Sequence, residues 1–381
     1  MFKKTLPGRG RKREEWVVFL HQSLLEHFER LRAAGVKFNI NTLQLEAKAL
    51  VMNAPDDSGY HHSVASRGSS IISKIAYRWI RHFMSANRIV LRCQTGKLLL
   101  SPSKQEFIER KVAFHLGLLK RGFESGTFRE DSVENADETH FVVNMDNGKT
   151  LGFIGDRHVK YADVVSGGDS MTMMVRLTGG VSAMICPPMI IFSNANRSYP
   201  IRGVEDSVPG VCYRSSPKGW MDSDTWISWL QEPRAISALP GGVERTLFVD
   251  NCSSHILDGN SEAALKKIRT RLLKLPPNST DLTQPADSFI IQKIKEVWRR
   301  LWDEYKLQCI NEGQWQDGVD GQGSGRLPNP GKRFFLKLAA DSVREVNGMR
   351  DANGLSYARK AMIMTGMSLS VNGTWSESQL T

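Results

Sequence analysis

The sequence predicts a small all-α domain followed by a mixed α/β domain, and three observations carry that expectation. The first ninety residues hold three apolar stripes at three-to-four spacing, the signature of amphipathic helices. Beyond residue 140 the apolar residues gather instead in short runs punctuated by Asn-Gly and Gly-Gly pairs, which read as strands. The charge is also divided: residues 1–120 carry 21 Lys and Arg against 9 Asp and Glu, whereas residues 121–381 carry 30 against 31, so the formal charge of +11 is an N-terminal property. With 381 residues and 40% hydrophobic content, the chain exceeds what a single core usually holds. The expected division is 1–97 as the basic all-α domain, 98–136 as a helical and acidic connector, 137–310 as the α/β domain, and 311–381 as a loop with C-terminal helices.

The first helix is read from Trp16, Leu20, Leu24, Phe28 and Leu31, the second from Leu43, Ala47, Leu50 and Val51, and the third from Ile71, Ile72, Ile75, Trp79 and Phe83. Gly35 separates the first two, Asn41 can cap the second, Ser69 or Ser70 the third, and Asn87 can close it. Three short helices around one core make a helix-turn-helix arrangement. On the third, Lys74, Arg78 and Arg81 recur at i, i+4 and i+7 opposite Trp79 and Phe83, with Tyr77 beside them; Arg88, Arg92 and Lys97 follow. Such a face suits the phosphates of double-stranded DNA, because neutralising them releases condensed counterions. A solvated basic face is the plainer alternative.

A helical pattern over 104–120 and an acidic stretch over 124–137 lead into the second part. Phe141–Met145, Leu151–Ile154, Met171–Leu177 and Val181–Phe192 read as consecutive antiparallel strands. A helix near Ser223–Leu230, a buried strand Thr246–Val249, a helix Ser261–Arg271, an alternating strand Leu272–Leu275 and a long helix from Ser288 to Leu307 follow. Asn311–Gly331 reads as a long loop, and Lys332–Val346 and Ser356–Met364 as closing helices.

Three aspartates fall at element edges. Asp137 is read as standing immediately before the first strand in NADETHFVVNMD, Asp250 ends the apolar strand of TLFVDNCSSH, and Asp287 opens the long helix in NSTDLTQPADSFIIQ. On that helix Asp287 shares a face with Ile291 and Ile294, which aims its carboxylate inward. Strand ends and helix starts of an α/β sheet can converge in one crevice. Taken singly, each has a dull explanation: an acidic loop, Asp-Asn turn chemistry, a favourable helix dipole. Gathered together, the carboxylates raise one another's pKa and call for cations, and all-oxygen ligation suits Mg²⁺ or Mn²⁺. Two such ions about 4 Å apart can activate a water or 3′-hydroxyl and stabilise the leaving oxygen of a phosphodiester, without a nucleophilic side chain. His140, His158, Ser253 and Ser254 form no credible nucleophile and base set by spacing.

Cys93, Cys186, Cys212, Cys252 and Cys309 lie far apart, without a C-x-x-C pair, so they read as reduced intracellular thiols, neither a disulfide framework nor a zinc ribbon. The most apolar stretch, Ser182–Phe192, is too short to span a bilayer and is broken by Pro187–Pro188, and no signal peptide is read ahead of the basic start, so no membrane is expected as a partner. The opening KKTLPGRGRKR can serve as a nuclear-import patch, and the nucleus is the expected compartment.

DETHF, LFVDNCSSH and LPPNSTDLTQPADSFI resemble, in wording and order, the three acidic blocks of the pogo/Tigger branch of the DDE superfamily transposases, relatives of mariner. The resemblance implies that Asp137 is the acid of the D-E-T block, Asp250 that of D-N-x-x-x-H, and Asp287 the one after L-x-Q-P-x, all three being catalytic and metal-binding. The 36 residues between the last two are compatible with DDD-type spacing. An RNase H-like fold is implied, with the acids on the first strand, the fourth strand and the following helix. YRWIRHFMSANRIVLR is similar to a centromere-protein-B-type helix-turn-helix, and ARKAMIMTGMSLSVNG resembles the family's C-terminal helix and loop. The resemblance covers most of residues 14–307. Family members commonly carry two helix-turn-helix units; about thirteen residues precede the one here, so an upstream unit is expected to be absent or lost, and specific recognition to be weaker or to need dimerisation, as a homodimer. Asn251 and His255 belong to the second block and either orient the site or serve structure. Asp146 and Asp281 stand near the assigned acids, Asp281 being read as a turn residue.

The function these readings imply is a cut-and-paste DNA transposase that binds transposon-end DNA and uses Mg²⁺ or Mn²⁺, two ions, for phosphodiester hydrolysis and strand transfer into target DNA. The alternative from another class is a domesticated DNA-binding or regulatory protein that keeps the fold without cutting. An RNase H-like nuclease acting on RNA or a hybrid fits less well with a module that resembles a duplex-DNA reader.

Overall fold

The computed structural model describes residues 14–33, 38, 40–53, 71–90, 101–142, 170–236, 243–252, 258–314 and 326–380. The chain divides into two compact units, Met1–Pro102 and Ser103–Thr381.

In the first unit, α1 (Glu15–Ala33), α2 (Ile40–Met52), α3 (Ile71–Lys74) and α4 (Tyr77–Ala86) share one core made by Trp16, Leu20, Leu24, Leu43, Ala47, Ile71, Ile75, Ile80 and Phe83. The third helix of the sequence reading is thus two. Ala76 is extended, with φ −84° and ψ 166°, and the Gln44 side-chain amide donates to the Ile75 carbonyl at 2.7 Å. No glycine or proline marks this break; it coincides with a contact from α2, which satisfies a carbonyl that a continuous helix would have used internally. Lys74 therefore ends α3, while Arg78 and Arg81 lie on α4, and the three do not form a single helical face.

The second unit is built on a six-stranded sheet of β1 (Val133–Val142), β2 (Ser170–Thr178), β3 (Met189–Ser193), β4 (Cys212–Ser216), β5 (Arg245–Val249) and β6 (Thr270–Lys274), in the order β4-β3-β2-β1-β5-β6. β1, β2 and β3 are antiparallel neighbours, whereas β4 on β3, β5 on β1 and β6 on β5 run parallel. An antiparallel meander extended by parallel strands beside its first member is the RNase H-like arrangement. β4, the short and polar CYRSS, is the strand the sequence reading does not anticipate, and the strand expected at 151–154 lies outside the described residues.

Strand alternation separates two cores, because successive side chains point to opposite faces. Val133, Phe141, Met173, Val175, Tyr213 and Phe248 face α9 (Ile291–Asn311) and α10 (Lys332–Gly348), joined by α5 (Pro102–Glu124) and α11 (Tyr357–Met364). Ala136, Met174, Leu247 and Val249 face α6 (Ser223–Leu230) and α7 (Gly259–Lys267), both opened by capping boxes, Asp222 with Thr225 and Asp258 with Ser261. The sheet is therefore sandwiched between helical layers.

Segments that the sequence sets outside 137–310 supply this unit's core. Leu119 of α5 is fully buried, and α10 and α11 contribute Leu336, Ala339, Ala361 and Met362. Polar contacts fix the C-terminal part: the Glu130 carboxylate accepts from Ser368 Oγ at 2.5 Å and from the Leu369 amide at 2.9 Å, and is paired with Arg359. Asn347 exchanges two 2.8 Å hydrogen bonds with the Ile185 backbone. Such long-range pairings are invisible to local periodicity. Among the described residues no helix is long and apolar enough to cross a membrane.

Candidate catalytic site

The register between β1 and β5 brings two of the acids together. Their parallel ladder pairs Val133 with Thr246, Glu134 with Leu247 and Asn135 with Phe248. Two residues further along each chain stand Asp137 and Asp250, and period-two alternation gives them the face of Asn135 and Phe248. Asp137 is thus not ahead of the first strand, as expected, but its fifth residue, 7% exposed. The preceding acidic stretch folds partly into β1 because its alternate residues have buried partners in β2.

Asp287 reaches the site by another route. Between α8 (Thr280–Thr283) and α9 the chain forms a π-turn over Ala286–Ile290, in which the Ile291 amide donates to the Ala286 carbonyl five residues back. Such turns are rare and common at functional sites. Ala286 and Ile290 are buried, but Asp287 itself is exposed and hydrogen-bonded to Asp137. The inward aim expected for Asp287 is therefore corrected: the wider π-turn shifts the helical phase, so Asp137 is the buried member of the pair and Asp287 its solvent-side partner.

Asp250 is half-buried, and its Oδ1 accepts from the Cys252 amide at 3.1 Å. Asn251 is turned away from this contact, its side-chain amide donating to the Leu275 carbonyl at 2.6 Å and tying the end of β5 to the end of β6. Asp281 is exposed in the first turn of α8, and His140 is exposed on the face of β1 opposite Asp137. Asp146, His158, Ser253, Ser254 and His255 lie outside the described residues.

Burial first, then the charge and hydrogen bond of Asp287, then the charges of Glu138 and Asp250 hold the Asp137 carboxyl well above its ordinary pKa. Two hydrogen-bonded carboxyls need a proton between them, and a divalent cation can take that place. Among the described residues no three His, Cys, Asp or Glu side chains already surround one metal position. The donors are nevertheless of the kind a hard cation prefers, and their mutual repulsion is what such a cation relieves. Lys295 of α9 also faces this region, its ammonium 5.6 Å from the Phe141 ring centroid; burial and Arg299 push its pKa down while Asp287 and Asp137 pull it up.

The raised Asp137 pKa has a consequence for stability. The folded protein holds this proton more tightly than the unfolded chain, so in EDTA stability should fall as pH rises from the ordinary value of 3.8 through the raised one. Asp137→Asn should flatten that dependence and raise the melting temperature at neutral pH, each ~1 kcal/mol of relieved repulsion giving about 2–4 °C. Thermal melts across pH, with and without EDTA, measure both effects.

In the first unit, α4 presents Tyr77, Arg78 and Arg81 to solvent, and Arg88 follows in a left-handed conformation with φ 56°. Lys74 is held aside: its ammonium is 3.6 Å from Glu14 and 5.7 Å from the Trp16 ring centroid. Arg92 and Lys97 lie outside the described residues.

Sequence reasoning missed two buried polar groups beside the acids. On the face of β1 opposite Asp137, Glu134 is fully buried and pairs with Arg176 of β2, whose Nε donates at 2.6 Å, and with Arg245 of β5 at 3.5 Å. On the Asp137 face, Asn135 is fully buried and hydrogen-bonded to both β5 and the π-turn. The available signal was the run Glu134-Asn135 inside an otherwise buried strand, where unpartnered polar groups are costly.

Residues 171–343 match the model of a family described as DDE superfamily endonuclease, a span that contains Asp250 and Asp287 and begins after Asp137. Among solved structures, the chain is similar to the Mos1 strand transfer complex, with 12% identity, 90% of this chain and 78% of that one covered, and a TM-score of 0.44. It is also similar to the Mos1 mariner paired end complex with Mn, at 11% identity, 90% and 79% coverage and a TM-score of 0.42. The corresponding complex with Mg gives 11%, 90%, 80% and 0.42. No curated protein matches the sequence. The segment that matches the DDE superfamily endonuclease model, residues 171–343, runs from β2 to α10 of the six-stranded sheet unit.

Proposed function

We propose that this protein is a cut-and-paste DNA transposase in which Asp137, Asp250 and Asp287 hold Mg²⁺ or Mn²⁺ and α4 binds transposon-end DNA. The observation that carries the reading is the gathering of three carboxylates from three separate segments: Asp137 and Asp250 each stand two residues beyond the last β1–β5 pair, and Asp287 is hydrogen-bonded to Asp137. Bound divalent ions supply the activation of a water or 3′-hydroxyl and the neutralisation of charge at a phosphodiester. The chain's own residues supply the rest. Asp137 is held in β1 by its pairing with Val175 of β2, Asp250 directly follows the last residue of β5, and Asp287 closes the group from the π-turn. Lys295 adds a positive charge beside these acids, suited to a phosphate approaching them.

The test is Mg²⁺- or Mn²⁺-dependent nicking of DNA carrying the flanking genomic repeats, with Asp287→Asn as the inactive control. DNA binding without any nicking in either metal would instead identify a DNA-binding protein that keeps the fold.

DNA contact by α4 has its own expected result. Arg78→Ala and Arg81→Ala should each weaken DNA binding and lower the salt slope of the logarithm of affinity by about 1, as for one lost phosphate contact. Lys74→Ala should change the slope much less, because Glu14 already neutralises that ammonium. Affinity titrations over a range of salt distinguish the three variants.

A further inference from the structure

We propose that Asn135 is the positioning residue of the acid site, a clamp that sets Asp250 and Asp287 at their places around Asp137; the inference rests on the metal-site reading above. Its side-chain amide donates to the Phe248 carbonyl at 3.0 Å, and its side-chain oxygen accepts from the Ala286 amide at 3.0 Å. Phe248 lies two residues before Asp250, Ala286 one residue before Asp287, and Asn135 itself two residues before Asp137 on the same face of β1. One buried side chain thus ties together the three segments that carry the acids.

The ladder explains why a clamp is needed there. Asn135 and Phe248 are the last residues paired between β1 and β5, so no ladder bond fixes Asp137 against Asp250 beyond that point. The buried Ala286 amide, at the start of the π-turn, donates to this side chain, and its removal would leave that donor without this acceptor. The position requires one donor and one acceptor on a short side chain within a strand, which asparagine provides and an ionised aspartate, lacking a donor, does not. A residue that orients ligands without touching the metal typically changes metal affinity when removed, and this separates positioning from simple support of the fold.

The experiment is Mn²⁺ titration of the full chain, read from the electron paramagnetic resonance signal of the free ion, for wild type, Asn135→Ala and Leu336→Ala. Leu336 is fully buried in α10, which carries none of the acids, and its truncation controls for lost stability alone. Asn135→Ala should weaken Mn²⁺ binding by about tenfold or more, and its nicking should recover at saturating Mn²⁺, while Leu336→Ala keeps the wild-type affinity. Asn135→Val, a residue favoured in strands and without a side-chain donor or acceptor, gives the same reading should the alanine variant not fold. Mn²⁺ affinity within about twofold of wild type in the Asn135 variant, or a loss matched by Leu336→Ala, overturns the clamp. Failure of the wild type to bind Mn²⁺ overturns the metal-site reading itself and the role of Asn135 with it.

Discussion

Asp250→Asn is expected to lower metal-dependent nicking by at least about three orders of magnitude while leaving DNA affinity unchanged, because a lost carboxylate ligand forfeits several kcal/mol of charge stabilisation in the transition state. Asparagine has nearly the same shape and can still accept the Cys252 amide hydrogen bond that turns the chain after β5. The substitution therefore removes charge without removing the turn. The contrast between the two assays is the decisive part. In the proposed function DNA binding belongs to α4 in the first unit and cleavage to the acids in the second, so only cleavage should respond. Retained nicking in this variant would sink the assignment of Asp250.

The second large effect concerns stability. Glu134→Ala should destabilise the protein by about 3–5 kcal/mol in urea or guanidinium unfolding, the usual cost of removing one partner of a buried ion pair. Glu134 and Arg176 are essentially inaccessible to water, and among the described residues Arg176 already has one guanidinium nitrogen, Nη1, without a hydrogen-bond partner. Without the carboxylate, Arg176 and the neighbouring Arg245, whose pKa burial already lowers, would be left as two adjacent cations. The Trp229 ring, 5.3 Å from the Arg176 guanidinium carbon, offers only a weak substitute. Glu134→Gln should cost less, because it keeps an acceptor for the Arg176 Nε. A loss as small as that of a surface substitution would show that this network contributes little.

These expectations draw on different levels of the molecule. Periodicity alone placed the four-turn stripe of α1, the strand at 246–249 and the helix at 223–230, because each is decided by local alternation of apolar and polar residues over one element. It failed where a distant partner decided the outcome. The third helix splits because Gln44 takes the Ile75 carbonyl, and an acidic stretch becomes part of β1 because β2 and β5 satisfy its backbone. The π-turn at Ala286 is likewise unsignalled, since a helix with one extra residue per turn has nearly the same apolar spacing as an ordinary one over five residues.

By itself the sequence determined the succession of an all-α and a mixed α/β part, the concentration of positive charge near the N-terminus, and the three acidic blocks with their order. Those are properties of composition and local pattern. Only the tertiary structure decided that Asp137 is buried and Asp287 exposed, that Lys74 turns toward Glu14, and that Asn135 joins three acid-bearing segments. Strand register, ion pairing and buried hydrogen bonds between residues distant in sequence fix these features. A register change of one residue would place the same aspartates on opposite faces of the sheet without altering any local pattern.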